Sequence, residues 1–381
     1  MNPKIYLSIA HPSGKEIQYI SEAIDSNWMT TVGPQIVRFE KKLESYLRTD
    51  KPVVSLNSGT AALHLALIEL GIKPGDEIIC QDLTFVATIN PVKYVGAIPV
   101  LVDSEKDTWN INPDLLEEAI KDRIKETGKK PKAIIVVDLY GMPARLPEVM
   151  KIAANYEIPL IEDAAEALGS HILVGNQKEF CSTFGDCGYL SFNGNKIITA
   201  STGGALICRN DKQAANIRFL SGQAKDSAPH YQHSQLGYNY NLSNICAALG
   251  LAQMDVLQQY VDRRREINSM YRSELAMFPE LEFQNEPDNY FSNYWLTCIL
   301  FPNEVIRDSV KKHLEINGVE SRPVWKPMHL QPLYKDSSFY GTKFGENLFM
   351  RGLCFPSSSI LKDNDIAYTA DLVKDYLKKH L

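Results

Sequence analysis

Residues 133–161 read AIIVVDLYGMPARLPEVMKIAANYEIPLI, a stretch in which two short apolar runs flank a helical pattern. The runs Ala133–Val137 and Pro159–Ile161 are typical of buried strands, whereas Leu146–Tyr156 carries apolar residues at helical spacing. Near-continuous apolar strands that alternate with helices of about 10–15 residues indicate a mainly parallel sheet covered by helices on both faces. This stretch therefore predicts an α/β fold.

The same alternation extends toward the N-terminus of the chain. Further strands are predicted at Val53–Leu56, Glu77–Cys80 and Ile98–Val102, with helices at Thr60–Leu70, Phe85–Tyr94 and Pro113–Glu126.

Toward the C-terminus the regular alternation of predicted strands and helices ends. Tyr189–Phe192 and Ala205–Cys208 lie close together in the sequence, as paired strands do, and a long helical pattern follows at Asn244–Phe278. We therefore expect a large α/β domain over residues 1–255 and a smaller α+β domain over residues 256–381.

Composition disfavours several classes of protein. The 381 residues hold 40 Lys and Arg against 46 Asp and Glu, so the net charge of −6 provides no attraction for a nucleic-acid backbone. The apolar runs are far shorter than the roughly 20 residues of a membrane-spanning helix, and Met1–His11 lacks the apolar run of a signal peptide. The 7 cysteines form no Cys-x-x-Cys pair, and an odd number does not suit a disulfide framework. These features predict a cytoplasmic protein without nucleic-acid or membrane partners.

Three groups of polar residues follow predicted strands, at the edge where ligands of open α/β sheets collect. Asn57–Ala61 joins a strand to a helix and offers free N–H groups and hydroxyls, which suit a phosphate. Glu162–Glu166 places carboxylates directly after a buried strand, where an ionised group favours a neighbouring cation. Asn193–Lys196 places a lysine in a tight Asn-Gly-Asn turn.

Each group also has a purely structural interpretation: a helix cap, a helix-start or solvated carboxylate, and a surface lysine, respectively. Their combination favours a pyridoxal phosphate site, which needs a phosphate cradle, an acid for the ring nitrogen and a lysine for the aldehyde. Motifs for other sites are absent from the sequence. No Gly-x-Gly-x-x-Gly follows the first strand, and His230 and His233 have no companion ligands, so we predict no metal site.

Four motifs taken together resemble the DegT/DnrJ/EryC1/StrS family of pyridoxal phosphate-dependent sugar aminotransferases. They are Ser58–Leu63 (SGTAAL), Glu162–Ala164 (EDA), Ser191-Phe192 followed by Lys196, and Gly237-x-Asn239-Tyr240. The resemblance spans nearly the whole chain. It implies the PLP-dependent transferase fold type I, with a mainly parallel seven-stranded sheet in the large domain, and a homodimer with shared active sites.

The resemblance also implies a role for individual residues. Lys196 is expected to bond to the aldehyde of pyridoxal 5'-phosphate and later to move protons, while Asp163 holds the protonated ring nitrogen. Phe85 is expected to stack over the ring, and Glu166 to meet its phenolic oxygen. Because a carboxylate repels a phenolate, either Glu166 is protonated or a neighbour compensates. The phosphate is expected to contact Gly59, Thr60, Ala61 and Ser191, together with Asn239 of the other subunit.

A further segment, Arg322–Pro332 (RPVWKPMHLQP), is similar to that of members that aminate UDP-4-keto-6-deoxy-N-acetylglucosamine. The resemblance implies transfer of an amino group from L-glutamate to carbon 4 of that sugar, for surface glycan biosynthesis. Expected substrate contacts come from Arg322, Trp325, Lys326 and His329. GDP- or dTDP-linked keto sugars are alternative acceptors, and a non-catalytic nucleotide-sugar-binding or regulatory protein is an alternative function. A dehydratase of this family would carry histidine in place of Lys196.

Overall fold

The computed structural model of the protein describes residues 4–380. Its α-helices are α1 (Glu16–Asp25), α2 (Pro34–Leu47), α3 (Gly59–Glu69), α4 (Asn90–Tyr94), α5 (Pro113–Thr127), α6 (Leu146–Tyr156), α7 (Asp211–Ser221), α8 (Asn244–Met254), α9 (Leu257–Glu274), α10 (Glu304–Ile316), α11 (Phe344–Arg351) and α12 (Asp363–His380). Its strands are β1 (Val53–Leu56), β2 (Glu77–Gln81), β3 (Ile98–Val102), β4 (Ala133–Val137), β5 (Leu160–Asp163), β6 (His171–Val174), β7 (Gln177–Phe180), β8 (Cys187–Ser191), β9 (Gly204–Ile207), β10 (Glu282–Phe283), β11 (Tyr290–Phe291), β12 (Thr297–Leu300), β13 (Arg322–Pro323), β14 (Ser338–Tyr340) and β15 (Gly352–Phe355).

The main sheet has the strand order β1-β9-β8-β5-β4-β2-β3-β14. Strands from β8 to β14 in this order run parallel to one another, whereas β9 pairs antiparallel with β1 and with β8. The predicted α/β class and mainly parallel sheet are confirmed. Residues 1–255 contribute seven strands, as predicted for the large domain, and one strand from the C-terminal part of the chain joins them as the eighth. Ser338–Tyr340 supplies the additional edge strand, and these three residues lack the apolar run by which the other strands were predicted.

Both faces of the main sheet are buried, and alternate residues of its central strands enter different cores. In β4, Ile134 and Val136 join the cluster on one face, while Ala133 and Ile135 join the cluster on the other. This two-sided burial explains why the parallel strands are uninterrupted apolar runs in the sequence.

A smaller antiparallel sheet, with the order β10-β12-β15-β13, forms in the C-terminal part of the chain. Residues of α9, α10 and α12 share a core with it, among them Tyr271, Val310 and Val373. The predicted helix Asn244–Phe278 is interrupted, because α8 ends at Met254 and α9 begins at Leu257. The domain boundary at residue 255 stays a prediction. Within residues 4–380 no helix is both long and apolar enough to cross a membrane.

A glycine on β9 allows the start of α3 to lie directly against the sheet. A Cβ atom added at Gly204 would lie 2.4 Å from the backbone nitrogen of Gly59 and 2.5 Å from the carbonyl oxygen of Ser58. These are backbone atoms of the connection between β1 and α3, so they cannot rotate away as a side chain could. The sheet and the helix N-terminus therefore approach to a distance that only glycine permits.

We predict that Gly204→Ala lowers the free energy of unfolding by about 1–3 kcal/mol, the usual cost of an overpacked buried site. Urea unfolding of the purified protein measures this. Gly194→Ala is the matched control, because an added methyl group there meets no atom within 4 Å. Equal unfolding midpoints for the two variants would contradict the argument from close approach.

Candidate active site

A cavity of about 550 Å³ lies at the carboxyl ends of the parallel strands. Most of the residues predicted to bind the cofactor line it, namely Gly59, Thr60, Phe85, Asp163, Glu166, Ser191 and Lys196. Two of the predicted substrate residues, Arg322 and Trp325, also line it. Residues separated by more than a hundred positions in the sequence are thus brought to one place.

The start of α3 forms one end of this cavity. Ser58 caps this helix, as the purely structural interpretation of Asn57–Ala61 predicted. Its hydroxyl accepts a hydrogen bond from the N–H of Ala61 at 3.1 Å. Ala61 does not line the cavity, and its N–H is engaged by this cap. Gly59 and Thr60 do line it. A Cβ at Gly59 would lie 3.2 Å from the Cβ of Ser191, so the two predicted phosphate-binding segments are in contact.

Asp163 ends β5 and is buried beneath the cavity. Its carboxylate accepts a hydrogen bond from the hydroxyl of Thr88 at 2.6 Å and another from the N–H of Ala165 at 3.1 Å. Burial raises the pKa of Asp163 above its usual value, although these hydrogen bonds oppose the shift. A cationic N–H donor placed beside this carboxylate would be stabilised, which fits the protonated ring nitrogen of pyridoxal phosphate.

Lys196 points into the cavity rather than into solvent. Its side chain is 13% exposed, and its Nζ lies 3.3 Å from Oε1 of Glu166. The other carboxylate oxygen of Glu166 accepts a hydrogen bond from the N–H of Tyr140 at 2.7 Å. Burial raises the pKa of Glu166 to about 7, while the positive charge of Lys196 opposes the shift. Both alternatives left open for Glu166 therefore have a physical basis. Lys196 is the neighbour that compensates its charge, and burial makes its protonation easier.

Aromatic rings line the cavity and the groove beside it. Phe85 is 53% exposed, and its ring lies 5.4 Å from that of Trp325 between centroids. Trp325 is held through its backbone N–H, which donates to the hydroxyl of Tyr140 at 2.9 Å. These two rings separate the cavity from an adjoining groove that Lys326 lines.

The predicted substrate residues differ in where they lie. Arg322 lines the cavity, but its guanidinium donates to Glu320 at 2.9 and 3.2 Å. His329 lies outside the cavity, between Asp82 at 2.7 Å and Glu346 at 3.1 Å. Although burial opposes protonation, hydrogen bonds to these two carboxylates raise the pKa of His329 above its ordinary value. The structure therefore does not bring His329 to the cavity, because both ring nitrogens are engaged elsewhere.

Asn239 also lies outside the cavity of its own chain. Its side chain is exposed, and its backbone carbonyl accepts a hydrogen bond from Asn57 at 3.2 Å. This segment therefore runs beside the start of α3 with the asparagine side chain directed to the surface.

Sequence reasoning missed several residues of the site, of which Trp295 and Tyr140 are the most closely engaged. Trp295 lies under the Lys196 ammonium, 4.2 Å from ring centroid to Nζ. Tyr140 adopts a positive φ of 57° and presents its N–H to Glu166. In the sequence, both belong to apolar segments and carry no motif. Only tertiary packing places them in the site.

A model of the DegT/DnrJ/EryC1/StrS aminotransferase family matches residues 12–374. The chain belongs to this family. It is therefore a pyridoxal phosphate-dependent aminotransferase, and the residues around Asp163 and Lys196 fit that cofactor.

Individual relatives agree with this assignment. The chain is 44% identical to EpsN of Bacillus subtilis (strain 168), named as a pyridoxal phosphate-dependent aminotransferase, over 96% of this chain and 94% of EpsN. It is 35% identical to the GDP-perosamine synthase of Escherichia coli O157:H7, covering 97% and 98% of the two chains. Among solved structures, the PLP form of Spr1654 from Streptococcus pneumoniae, described as a sugar aminotransferase, superimposes with a TM-score of 0.89, 26% identity and full coverage of both chains.

The raised pKa of Glu166 predicts how stability depends on pH in the cofactor-free protein. Between its unfolded value of 4.5 and about 7, the folded protein keeps a proton that the unfolded chain releases. Its contribution to the free energy of unfolding therefore falls as pH rises through this window. Glu166→Gln removes the titrating group, so in this variant the free energy of unfolding no longer carries that decrease with rising pH.

The stability of Glu166→Gln relative to the wild type should therefore increase by on the order of 3 kcal/mol from pH 4.5 to pH 7, and stay constant above. Urea unfolding across this range measures the difference. A constant difference throughout would mean that Glu166 titrates as an ordinary carboxyl.

Proposed function

We propose that this enzyme transfers the amino group of L-glutamate to carbon 4 of a 4-keto-6-deoxy nucleotide sugar. The favoured acceptor is UDP-4-keto-6-deoxy-N-acetylglucosamine, and the product serves surface glycan biosynthesis. The observation that carries the proposal is the inward-facing Lys196, 3.3 Å from Glu166 in the cavity that Asp163 also lines. A protein that only binds or senses a nucleotide sugar has no use for this arrangement.

The proposed roles are those that the resemblance to the family implies, and the positions of the side chains in the cavity are compatible with them. Pyridoxal phosphate, when bound, supplies an aldehyde that accepts the amino group and a protonated ring that stabilises negative charge at the reacting carbon. The amine of Lys196 would hold that aldehyde and, as a free amine, would carry the proton to and from the reacting carbons. Asp163 holds the ring nitrogen protonated, and Glu166 faces the phenolic oxygen. Gly59, Thr60 and Ser191 hold the phosphate.

The substrate-binding roles rest on the C-terminal segment. Arg322 already lines the cavity, and a diphosphate can take the place of Glu320 as the acceptor for its guanidinium. Lys326 faces the groove beyond the Phe85–Trp325 pair, so it supplies a second cation for the same diphosphate or the nucleotide. Trp325 offers a flat face to the uracil or the sugar. His329 is left out of this set, because its ring is bound to Asp82 and Glu346.

The nucleotide is the open part of the proposal. The motif around Arg322 favours UDP, whereas the likeness to a GDP-perosamine synthase favours GDP-linked keto sugars as the second candidate. A cytoplasmic location is part of the proposal, and the seven unpaired cysteines support it.

A panel of 4-keto nucleotide sugars tests the acceptor. Each UDP-, GDP- and dTDP-linked sugar is incubated with the enzyme, pyridoxal phosphate and L-glutamate, and the product is identified by mass and NMR. We expect the UDP-linked 4-keto-6-deoxy-N-acetylhexose to be aminated at carbon 4 with the highest kcat/KM. Lys196→Ala is the negative control. A higher kcat/KM for a GDP- or dTDP-linked sugar would contradict the UDP assignment, and no amination of any sugar would contradict the function.

A homodimer with shared active sites is a further part of the proposal. Asn239 is exposed and outside its own cavity, and the loop before it carries Tyr231 and Leu236, which are 84% and 76% exposed. Exposed apolar side chains next to a polar residue without a local ligand are typical of an interface. In a symmetric dimer, Asn239 then reaches the phosphate bound by the partner subunit.

Hybrid dimers test this sharing. Lys196→Ala and Asn239→Ala should each have low activity alone, because each lacks one part of every site. Co-expressed, they should recover about a quarter of wild-type activity, since half of the random dimers hold one intact site out of two. Activity of the mixture equal to the mean of the separate variants would show that Asn239 acts within its own subunit or not at all.

A further inference from the structure

The ammonium of Lys196 contacts an aromatic ring as well as a carboxylate. Its Nζ lies 4.2 Å from the centroid of the Trp295 indole and 3.3 Å from Oε1 of Glu166. A cation over the face of an indole is attracted by the negative charge of the π system, and tryptophan gives the strongest such interaction. The amine is therefore held by two neighbours of different chemistry.

Hydrogen bonds fix the position of Trp295 through its indole N–H, its backbone N–H and its backbone carbonyl. Its Nε1–H donates to the carbonyl of Asn195 at 2.7 Å, so the ring is tied to the residue directly before Lys196. Its backbone N–H donates to Asn293 at 2.8 Å, and its backbone carbonyl accepts from Arg264 at 2.5 Å. The ring and the lysine are thus parts of one rigid unit.

The same unit also fixes the carboxylate. Tyr140 stacks on Trp295, with 6.4 Å between ring centroids and 19° between planes, and donates its N–H to Glu166. Asn293 donates from its side-chain amide to the backbone carbonyl of Glu166 at 2.8 Å. Displacing the indole would therefore disturb both groups that hold the ammonium.

A buried arginine anchors this arrangement from behind. Arg264 is 1% exposed, and across residues 4–380 no carboxylate lies within ion-pair distance of it. Its guanidinium donates to the carbonyl of Trp295 and to the hydroxyl of Ser8 at 3.2 Å, and Ser8 donates to the carbonyl of Asn195 at 2.7 Å. Arg264 therefore braces both Trp295 and the backbone beside Lys196.

We propose that Trp295 is a positioning residue that holds the ammonium of Lys196 whenever this amine is not bonded to the cofactor. A free lysine side chain has many rotamers, so holding it in one of them costs conformational entropy. The indole face and Glu166 give the released amine one resting place inside the cavity. This inference rests on the proposed role of Lys196 as the residue that alternates between bonded and free amine.

Chemical labelling of the cofactor-free protein tests the inference. Dilute cyanate carbamylates free lysines, and mass spectrometry of the digest follows the peptide that contains Lys196. We expect Trp295→Leu to speed labelling of Lys196 by roughly three- to tenfold, because the amine loses one of its two partners. Trp295→Phe keeps an aromatic face and should stay within about twofold of the wild type. Lys178, exposed on β7, is the internal reference and should react equally in all variants.

The proposal would be overturned if Lys196 were carbamylated at the same rate in the wild type and in Trp295→Leu, while the reference Lys178 also reacted equally in both. Tryptophan fluorescence provides a second measurement if the leucine variant does not fold. The emission of the wild type minus that of Trp295→Phe gives the emission of Trp295 itself. Lys196→Met should change this Trp295 emission, because it removes the ammonium from the indole face. Unchanged Trp295 emission would also overturn the proposal. Both measurements use protein without cofactor, so a failure of the proposed function appears separately, in the amination assay.

Discussion

The ammonium of Lys196 lies 3.3 Å from the carboxylate of Glu166 in a site where the lysine side chain is 13% and the glutamate side chain 4% exposed. At an effective dielectric near 20 the Coulomb attraction at such a distance is about 5 kcal/mol, but burial of both charges opposes it. The pair persists because each partner has additional contacts, Glu166 with the N–H of Tyr140 and Lys196 with the face of Trp295. The rest of the site is arranged around this pair.

The sheet provides the constraint that brings the pair together. Parallel strands β4 and β5 end at the same edge, so the turn that contains Tyr140 and the segment from Asp163 to Glu166 become neighbours. The antiparallel strand β9 then draws the start of α3 against the sheet through Gly204. As a result, the start of α3 with Gly59 and Thr60, the buried Asp163 and Lys196 face one cavity from different parts of the sheet.

Hydrophobic periodicity and the position of polar residues after strands were sufficient to predict the α/β sheet and the edge at which the site lies. The apolar runs located the parallel strands, and the rule that ligands lie at their carboxyl ends brought Gly59, Asp163 and Lys196 to one edge. Their individual roles came from the resemblance to a family and stay proposals.

Features that depend on distant packing could not be predicted. Trp295 lies 99 positions beyond Lys196, and its segment looks like an ordinary strand. The edge strand Ser338–Tyr340 has no pattern of its own and is defined only by pairing with β3. The resemblance led us to expect a substrate contact from His329, whereas Asp82 and Glu346 occupy both of its ring nitrogens.

Borohydride reduction of the cofactor-loaded enzyme tests the central claim most directly. Reduction makes the bond between the cofactor and its lysine permanent, and peptide mapping then identifies the tagged residue. The account predicts a single tag, on Lys196. A tag on another lysine, or no tag on protein that has bound the cofactor, would contradict it.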